Sequence, residues 1–228
     1  MKLYSRTVEP ALATFLFCCI ANACSGGESE TPGPLPNPGV PANMSAAPAP
    51  DSLQGPPGPT SVGPVHAADT YTTLVETIGA ENIRDTAYPT GEGATRPGIV
   101  LYPDSREAIT AFFEDPSSRT GVAEVAVAHP RSTYLVQGLR VGMTIEEAQA
   151  VNGAPFRLAG LGWDYGGHSR DWGADGRVSP NVTAVFRPRT RRAVPPPAQG
   201  DTLLASDSEL WRGLGMYIVE LRAGLADR

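Results

Sequence analysis

Residues 152–173 read NGAPFRLAGLGWDYGGHSRDWG. Six glycines, two tryptophans, Tyr165, His168 and the pair Asp164 and Asp171 share this short span. It could be a phosphate cradle, a catalytic loop, a metal site or a hairpin. A phosphate loop follows a strand and opens a helix whose N-terminus meets the anion. Here Gly167 runs into HSRDWGADG, which has no helical pattern, and no lysine is at hand. The stretch Gly167-His168-Ser169-Arg170-Asp171 misses the nucleophile elbow G-x-S-x-G, because Asp171 stands where the last glycine avoids a clash. Asp164, His168 and Asp171 would make a hard metal site only if the strand register brought them together, and no fourth ligand is evident. The hairpin asks least. Gly166-Gly167 suits a two-residue turn with positive φ, flanked by Tyr165 and His168, with Trp163 and Trp172 packing across the strands. Gly160 and Gly162 then mark a bulge or a close backbone crossing. The aromatics form either core or a contact face, since Trp and Tyr are frequent interface anchors.

Working outward, GMTIEEAQAVNG (Gly142 to Gly153) reads as a helix with a capping box of Thr144 and Glu147 and a glycine stop. TYTTLVETIG (Thr70 to Gly79) has the same form, with Thr73 and Glu76 as its box. Between them, GIVLYP, the turn DSRE and AITAFFED predict a hairpin, and VAEVAVAHP predicts a third strand. In that strand Val122, Glu124, Ala126 and Ala128 should face one way and Ala123, Val125 and Val127 the other. Farther on, Thr183-Ala184-Val185-Phe186 echoes Thr110-Ala111-Phe112-Phe113, and MYIVELRAGL matches VAEVAVAHP in place. The expected fold class is α+β, built as two tandem repeats over residues 70–130 and 138–224, each a short helix followed by an antiparallel β-meander.

The chain has 228 residues and a net charge of -6, which argues against nucleic acid as a partner. Cys18, Cys19 and Cys24 all lie near the start, so the body of the protein can form neither a disulfide nor a thiolate metal site. Lys2 and Arg6, the apolar run ALATFLFCCIA (Ala11 to Ala21) and the small residues before Cys24 have the tripartite form of a secretory signal over residues 1–23. From Ser25 to Pro64 the sequence is rich in Pro, Gly, Ser and Ala. Residues 24–65 are expected to be a disordered tether, which at roughly 3 Å per residue could reach about 100 Å. The folded domain is expected over 66–228.

The A-N-A-C junction resembles the lipobox of bacterial lipoproteins, which implies lipidation of Cys24 and anchoring in the cell envelope. With Ser25 next, the resemblance implies the outer membrane. The segment Gly138 to Gly167, with its NGxPF and GxWDYGG patterns, resembles a family of uncharacterised bacterial envelope lipoproteins. The G-M-T-x-x-E helix start is more remotely similar to the small lipoproteins of the outer-membrane barrel-assembly machinery and to the β-lactamase inhibitor proteins. That likeness implies helices packed on antiparallel sheets and binding of other proteins. Near the end, RPRTRRAVPPPAQGD carries Arg187, Arg189, Arg191 and Arg192 in a proline-rich loop that could meet headgroups, anionic glycans or an acidic partner.

Together these readings predict a lipid-anchored envelope protein that binds a protein or an envelope glycan without catalysis, cofactor or metal. Trp163, Asp164, Tyr165, His168, Trp172 and the four loop arginines are the candidate contact residues. The alternative is a soluble secreted or periplasmic protein, or a metal-dependent or serine hydrolase centred on the 160–172 loop. Within the domain only His129 and His168, with His66 at its edge, could serve such an enzyme as a base.

Overall fold

The computed structural model describes residues 56–226. The signal, Cys24 and most of the tether lie outside the described residues. The fold is α+β with predominantly antiparallel sheets. Its centre is a six-stranded sheet, curled into a half-barrel, in the order β3-β4-β5-β6-β11-β9. These strands are β3 (Ile83–Gly91), β4 (Ala94–Leu101), β5 (Ile109–Asp115), β6 (Thr120–Val127), β9 (Val182–Pro188) and β11 (Met216–Gly224). A small sheet, β10-β7-β8, joins β7 (Arg157–Ala159), β8 (Ser169–Asp171) and β10 (Leu203–Ala205).

Folding begins earlier than the expected boundary at residue 66. β1 (Ser61–Val62) and β2 (Val65–His66) form a tight hairpin through Gly63, whose φ is +56°. This turn sets Val62 and Val65 into the core, where they are 2% and 0% exposed. Two valines around a Gly-Pro turn are enough to dock a segment whose composition otherwise reads as linker.

Both expected helices are present. In α1 (Tyr71–Ile78) the cap lies three residues before the expected one. Thr70 is extended, its hydroxyl accepts from the Thr73 amide at 3.1 Å, and Thr73 Oγ1 accepts from the Thr70 amide at 2.9 Å. A threonine thus fills the place where a glutamate usually completes the box. The cap of α2 (Ile145–Asn152) is the expected Thr144 and Glu147 pair, and Gly153 ends the helix at φ +79°. Backbone bonds from Gly142 to Ile218 and from Ile218 to Met143, both 2.8 Å, fix the start of α2 to β11. Leu74 and Ile78 of α1 and Ile145 and Ala148 of α2 enter one core with the inward residues of the large sheet.

The hairpin of β4 and β5 and the strand β6 form where expected, but strict alternation in β6 does not hold. Phe112 faces Glu124 while Phe113 faces Val122, so Ala123 is the extra residue of a bulge. The bulge resets the pleat. Val122 joins Val125 and Val127 in the core, and Glu124 turns to the other face. β3, in which no alternating apolar pattern is legible, pairs with the whole of β4 as an edge strand. Arg84, Asp85 and Pro89 interrupt any apolar pattern there, as edge strands require.

After α1 the chain runs as a four-stranded meander, β3 to β6, within the large sheet. After α2 it first makes the β7–β8 hairpin of the small sheet, and only then supplies β9 and, beyond β10 and α3 (Glu209–Arg212), β11. β11 inserts between β6 and β9, with Leu221 opposite Val127 and Ala184.

Candidate functional site

The glycine-rich stretch is a hairpin, but not one closed by Gly166-Gly167. β7 and β8 pair with Leu158 opposite Ser169, and the connection runs from Gly160 to His168. Gly166 does not take a positive φ, whereas Gly162 and Gly167 do, at +92° and +71°. The longer loop arises because Gly160 crosses the 198–200 backbone, where a Cβ would lie 2.7 Å from the Gly200 carbonyl oxygen and 3.0 Å from that of Ala198. The loop then covers the outer edge of β9: the Phe186 amide donates to the Gly167 carbonyl at 2.8 Å.

The two tryptophans separate. Trp172 is 4% exposed, packs on Phe156 at 4.7 Å, and donates its indole N–H to the Val182 carbonyl at 2.7 Å. Its ring is part of the core, and the little surface it keeps lines a large cleft. Trp163 is 40% exposed, stands edge-on to Tyr165 at 5.3 Å, and donates to the Gly160 carbonyl at 2.9 Å. The NGxPF pattern explains itself in the same packing. Asn152, fully buried, donates to the carbonyls of Ala154 and Trp172, both at 2.8 Å, and accepts from the Val178 amide at 3.1 Å. Phe156 fills the core beside Trp172 and Phe186.

The loop separates two hollows. The smaller, about 470 Å³, is lined by Trp163, Asp164 and Arg187 together with Leu161, Pro188 and Val194. The larger is a cleft of about 920 Å³ between the second face of the large sheet and the β7–β8 hairpin. Tyr165, His168 and Asp171 border it with Arg96, Glu124 and Arg222. Sequence reasoning missed the last three. Their signal was a charged residue inside an otherwise apolar strand, Glu124 in VAEVAVA and Arg222 in MYIVELRAG, where an exposed polar face is not expected to be roofed.

These charges are arranged in pairs. Arg96 Nη1 meets Glu124 Oε2 at 2.6 Å, with both side chains about a third exposed or less. Arg222 donates to the Glu220 carboxylate. Phe112, sealed over Gly98, carries the Arg96 guanidinium 4.5 Å from its ring centre and Tyr88 edge-on at 5.2 Å. Burial, followed by the Glu220 charge, pushes the Tyr88 hydroxyl well above its ordinary pKa.

His168 is 8% exposed, and its Nδ1 lies 2.8 Å from the Tyr165 carbonyl and 3.3 Å from that of Gly166. A carbonyl only accepts, so Nδ1 carries the proton and Nε2 is an acceptor. Burial lowers the His168 pKa below 6.5; the two carbonyls oppose the shift, and the charges of Arg222 and Arg187 add to it. The imidazole is therefore neutral at physiological pH.

The residues singled out for catalysis are engaged separately. Asp164 accepts from the Glu92 amide at 2.5 Å, fastening the β3–β4 turn to the loop. Asp171 accepts from the Gly173 amide at 2.8 Å, and Ser169 Oγ accepts from the Ala184 amide at 2.9 Å. Among the described residues, no group of three or more His, Cys, Asp or Glu side chains could hold a metal ion. The arginine loop also divides. Arg187 donates to the Gly166 carbonyl at 2.5 Å, and Arg189 donates to that of Gly142 at 3.1 Å and lies over Tyr217. Arg191 and Arg192 are exposed.

Comparison with known proteins finds no matching family model, curated protein or solved structure. Among the described residues, no helix is long and apolar enough to cross a membrane.

Proposed function

We propose that this is a lipid-anchored protein of the bacterial cell envelope, held by Cys24 in the outer membrane, whose α+β domain binds a protein or an envelope polymer in the cleft without catalysing a reaction. The observation that supports binding is the state of the cleft's charges. Arg96 is held by Glu124 and Arg222 by Glu220, each through one nitrogen, while the Ser169 hydroxyl accepts from a backbone amide and the Nδ1–H of His168 is directed at a backbone carbonyl. Side chains fixed in this way present a shaped, prearranged surface, whereas acyl transfer needs a nucleophile within reach of its base. The similarity of Gly138 to Gly167 to envelope lipoproteins, and the Pro-rich linker after Cys24, support the location. We also read the two halves as diverged repeats; the side-by-side pairing of β6 with β11, the strands that correspond in the two sequences, supports this.

The test is capture in intact cells with a photoreactive residue in place of Tyr165, which borders the cleft, and separately in place of the exposed Leu135. A discrete adduct from position 165 that is missing from position 135 is the expected result. Equal or absent capture at the two positions would count against the cleft as a binding surface.

A further inference from the structure

Resting on the reading of the cleft as a binding site, we infer that its ligand is a neutral, polyhydroxylated chain: a segment of uncharged glycan. The balance of charge in the cleft favours a neutral ligand. Arg96, Arg170 and Arg222 border the cleft with Glu124 and Asp171, and Glu220 is bonded to Arg222. Three positive side chains thus meet three negative ones. An anionic ligand would gain the arginines but face the carboxylates of Glu124 and Asp171 on the same lining, and a cationic one meets the reverse. A charged ligand that engaged Arg96 or Glu124 would have to open their partly buried ion pair and leave one member unmatched, which is costly.

A hydroxyl has no such conflict, because it donates and accepts at once. Each guanidinium offers five N–H donors in a fixed fork; Arg96 directs Nη1 to Glu124 and Arg222 directs Nε to Glu220, leaving other N–H groups for a ligand. Glu124 receives Arg96 through Oε2, and the neutral His168 keeps Nε2 as an acceptor. Planar donors and acceptors side by side, held by partners of opposite charge, are what vicinal hydroxyls require.

The apolar part of the cleft points the same way. A sugar ring has C–H faces as well as hydroxyl edges. Tyr165, half-buried on the cleft wall and braced edge-on by Trp163 at 5.3 Å and by His168 at 6.0 Å, gives a rigid aromatic surface for such a face. A cleft of about 920 Å³ lies at the upper end of the range for small-ligand sites, roughly 300–1,000 Å³. It accommodates more than one ring, which suits a polymer segment better than a single monosaccharide.

The test is isothermal titration of the full detergent-solubilised chain with chitotetraose, cellotetraose and maltotetraose as neutral probes, and with polygalacturonate and polylysine as charged ones. The expected result is saturable binding of at least one neutral tetrasaccharide, with an affinity that does not change with salt. Tyr165→Phe should keep this affinity, while Tyr165→Ala and Glu124→Gln should each weaken it about tenfold or more. Leu135→Arg, at an exposed position that is not among the residues lining the cleft, serves as the folded control. Silence with all three neutral probes, unchanged affinity in both cleft variants, or salt-sensitive binding of a charged polymer alone would overturn the inference. Adducts from position 165 without saccharide binding would remove the ligand class but leave the binding reading standing, whereas loss of both would remove the cleft as a site.

Discussion

Trp172 and Trp163 show how two identical residues in one hairpin come to do different work. Trp172 contacts Phe156 and satisfies its indole N–H inside the fold; removing it opens a cavity and strands the Val182 carbonyl. We expect Trp172→Ala to lower unfolding free energy by about 3–5 kcal/mol, and Trp163→Ala, at a 40% exposed site, by about 1 kcal/mol or less. Urea denaturation of the two variants checks the contrast, and equal losses would refute the assignment of core and surface. His168 gives a pH signature at the same scale. Its folded pKa lies below the ordinary 6.5 because burial disfavours the cation, so the unfolded chain binds the proton more readily. The contribution of His168 to stability is therefore whole above pH 6.5 and is lost as pH falls below it, toward the lowered folded value. Urea midpoints measured on both sides of pH 6.5 should fall more steeply for the wild type than for His168→Gln; parallel slopes would show that the ring titrates as if it were exposed.

At the scale of elements, the loop over β9 depends on one glycine. Gly167 has φ +71°, and a Cβ there would lie 2.2 Å from the Phe186 carbonyl oxygen. Gly162 has φ +92° but open space around it. Gly167→Ala should cost about 3 kcal/mol or more, by adding a backbone clash to the left-handed penalty, and Gly162→Ala about 1 kcal/mol from the penalty alone. Thermal unfolding of both variants separates clash from conformation. These glycines also show what the sequence made legible. Capped helices, a hairpin at 152–173 and the tight crossing at Gly160 follow from local chemistry, as do the strands whose apolar residues alternate. The loop's true length did not follow, because it is set by the 198–200 backbone, which is distant in sequence. The bulge at Ala123 escaped for a similar reason: its cause is the register with Phe112 and Phe113. The cleft was hidden because Arg96, Glu124 and Arg222 lie on three strands, and each alone resembles an ordinary outward charge. β3 was hidden because the edge position that admits Pro89 and the charged pair Arg84 and Asp85 erases the apolar pattern by which strands are read.

For the whole molecule, the proposed anchor predicts how the domain is held. The core of the described residues contains no cysteine, since all three precede residue 25. A single acyl chain binds a bilayer only marginally, and stable anchoring takes more than one, so the proposed anchor at Cys24 calls for more than one chain. Cys24→Ala should therefore move the protein from the membrane pellet to the soluble fraction while leaving its urea midpoint unchanged, because the core has no part in the anchor. Fractionation with immunoblotting decides this. If the variant still pellets with the outer membrane after a salt wash, attachment resides in the domain itself, and the exposed Arg191 and Arg192 become the first residues to replace. A variant that leaves the membrane but loses stability would instead tie the N-terminal segment to the fold.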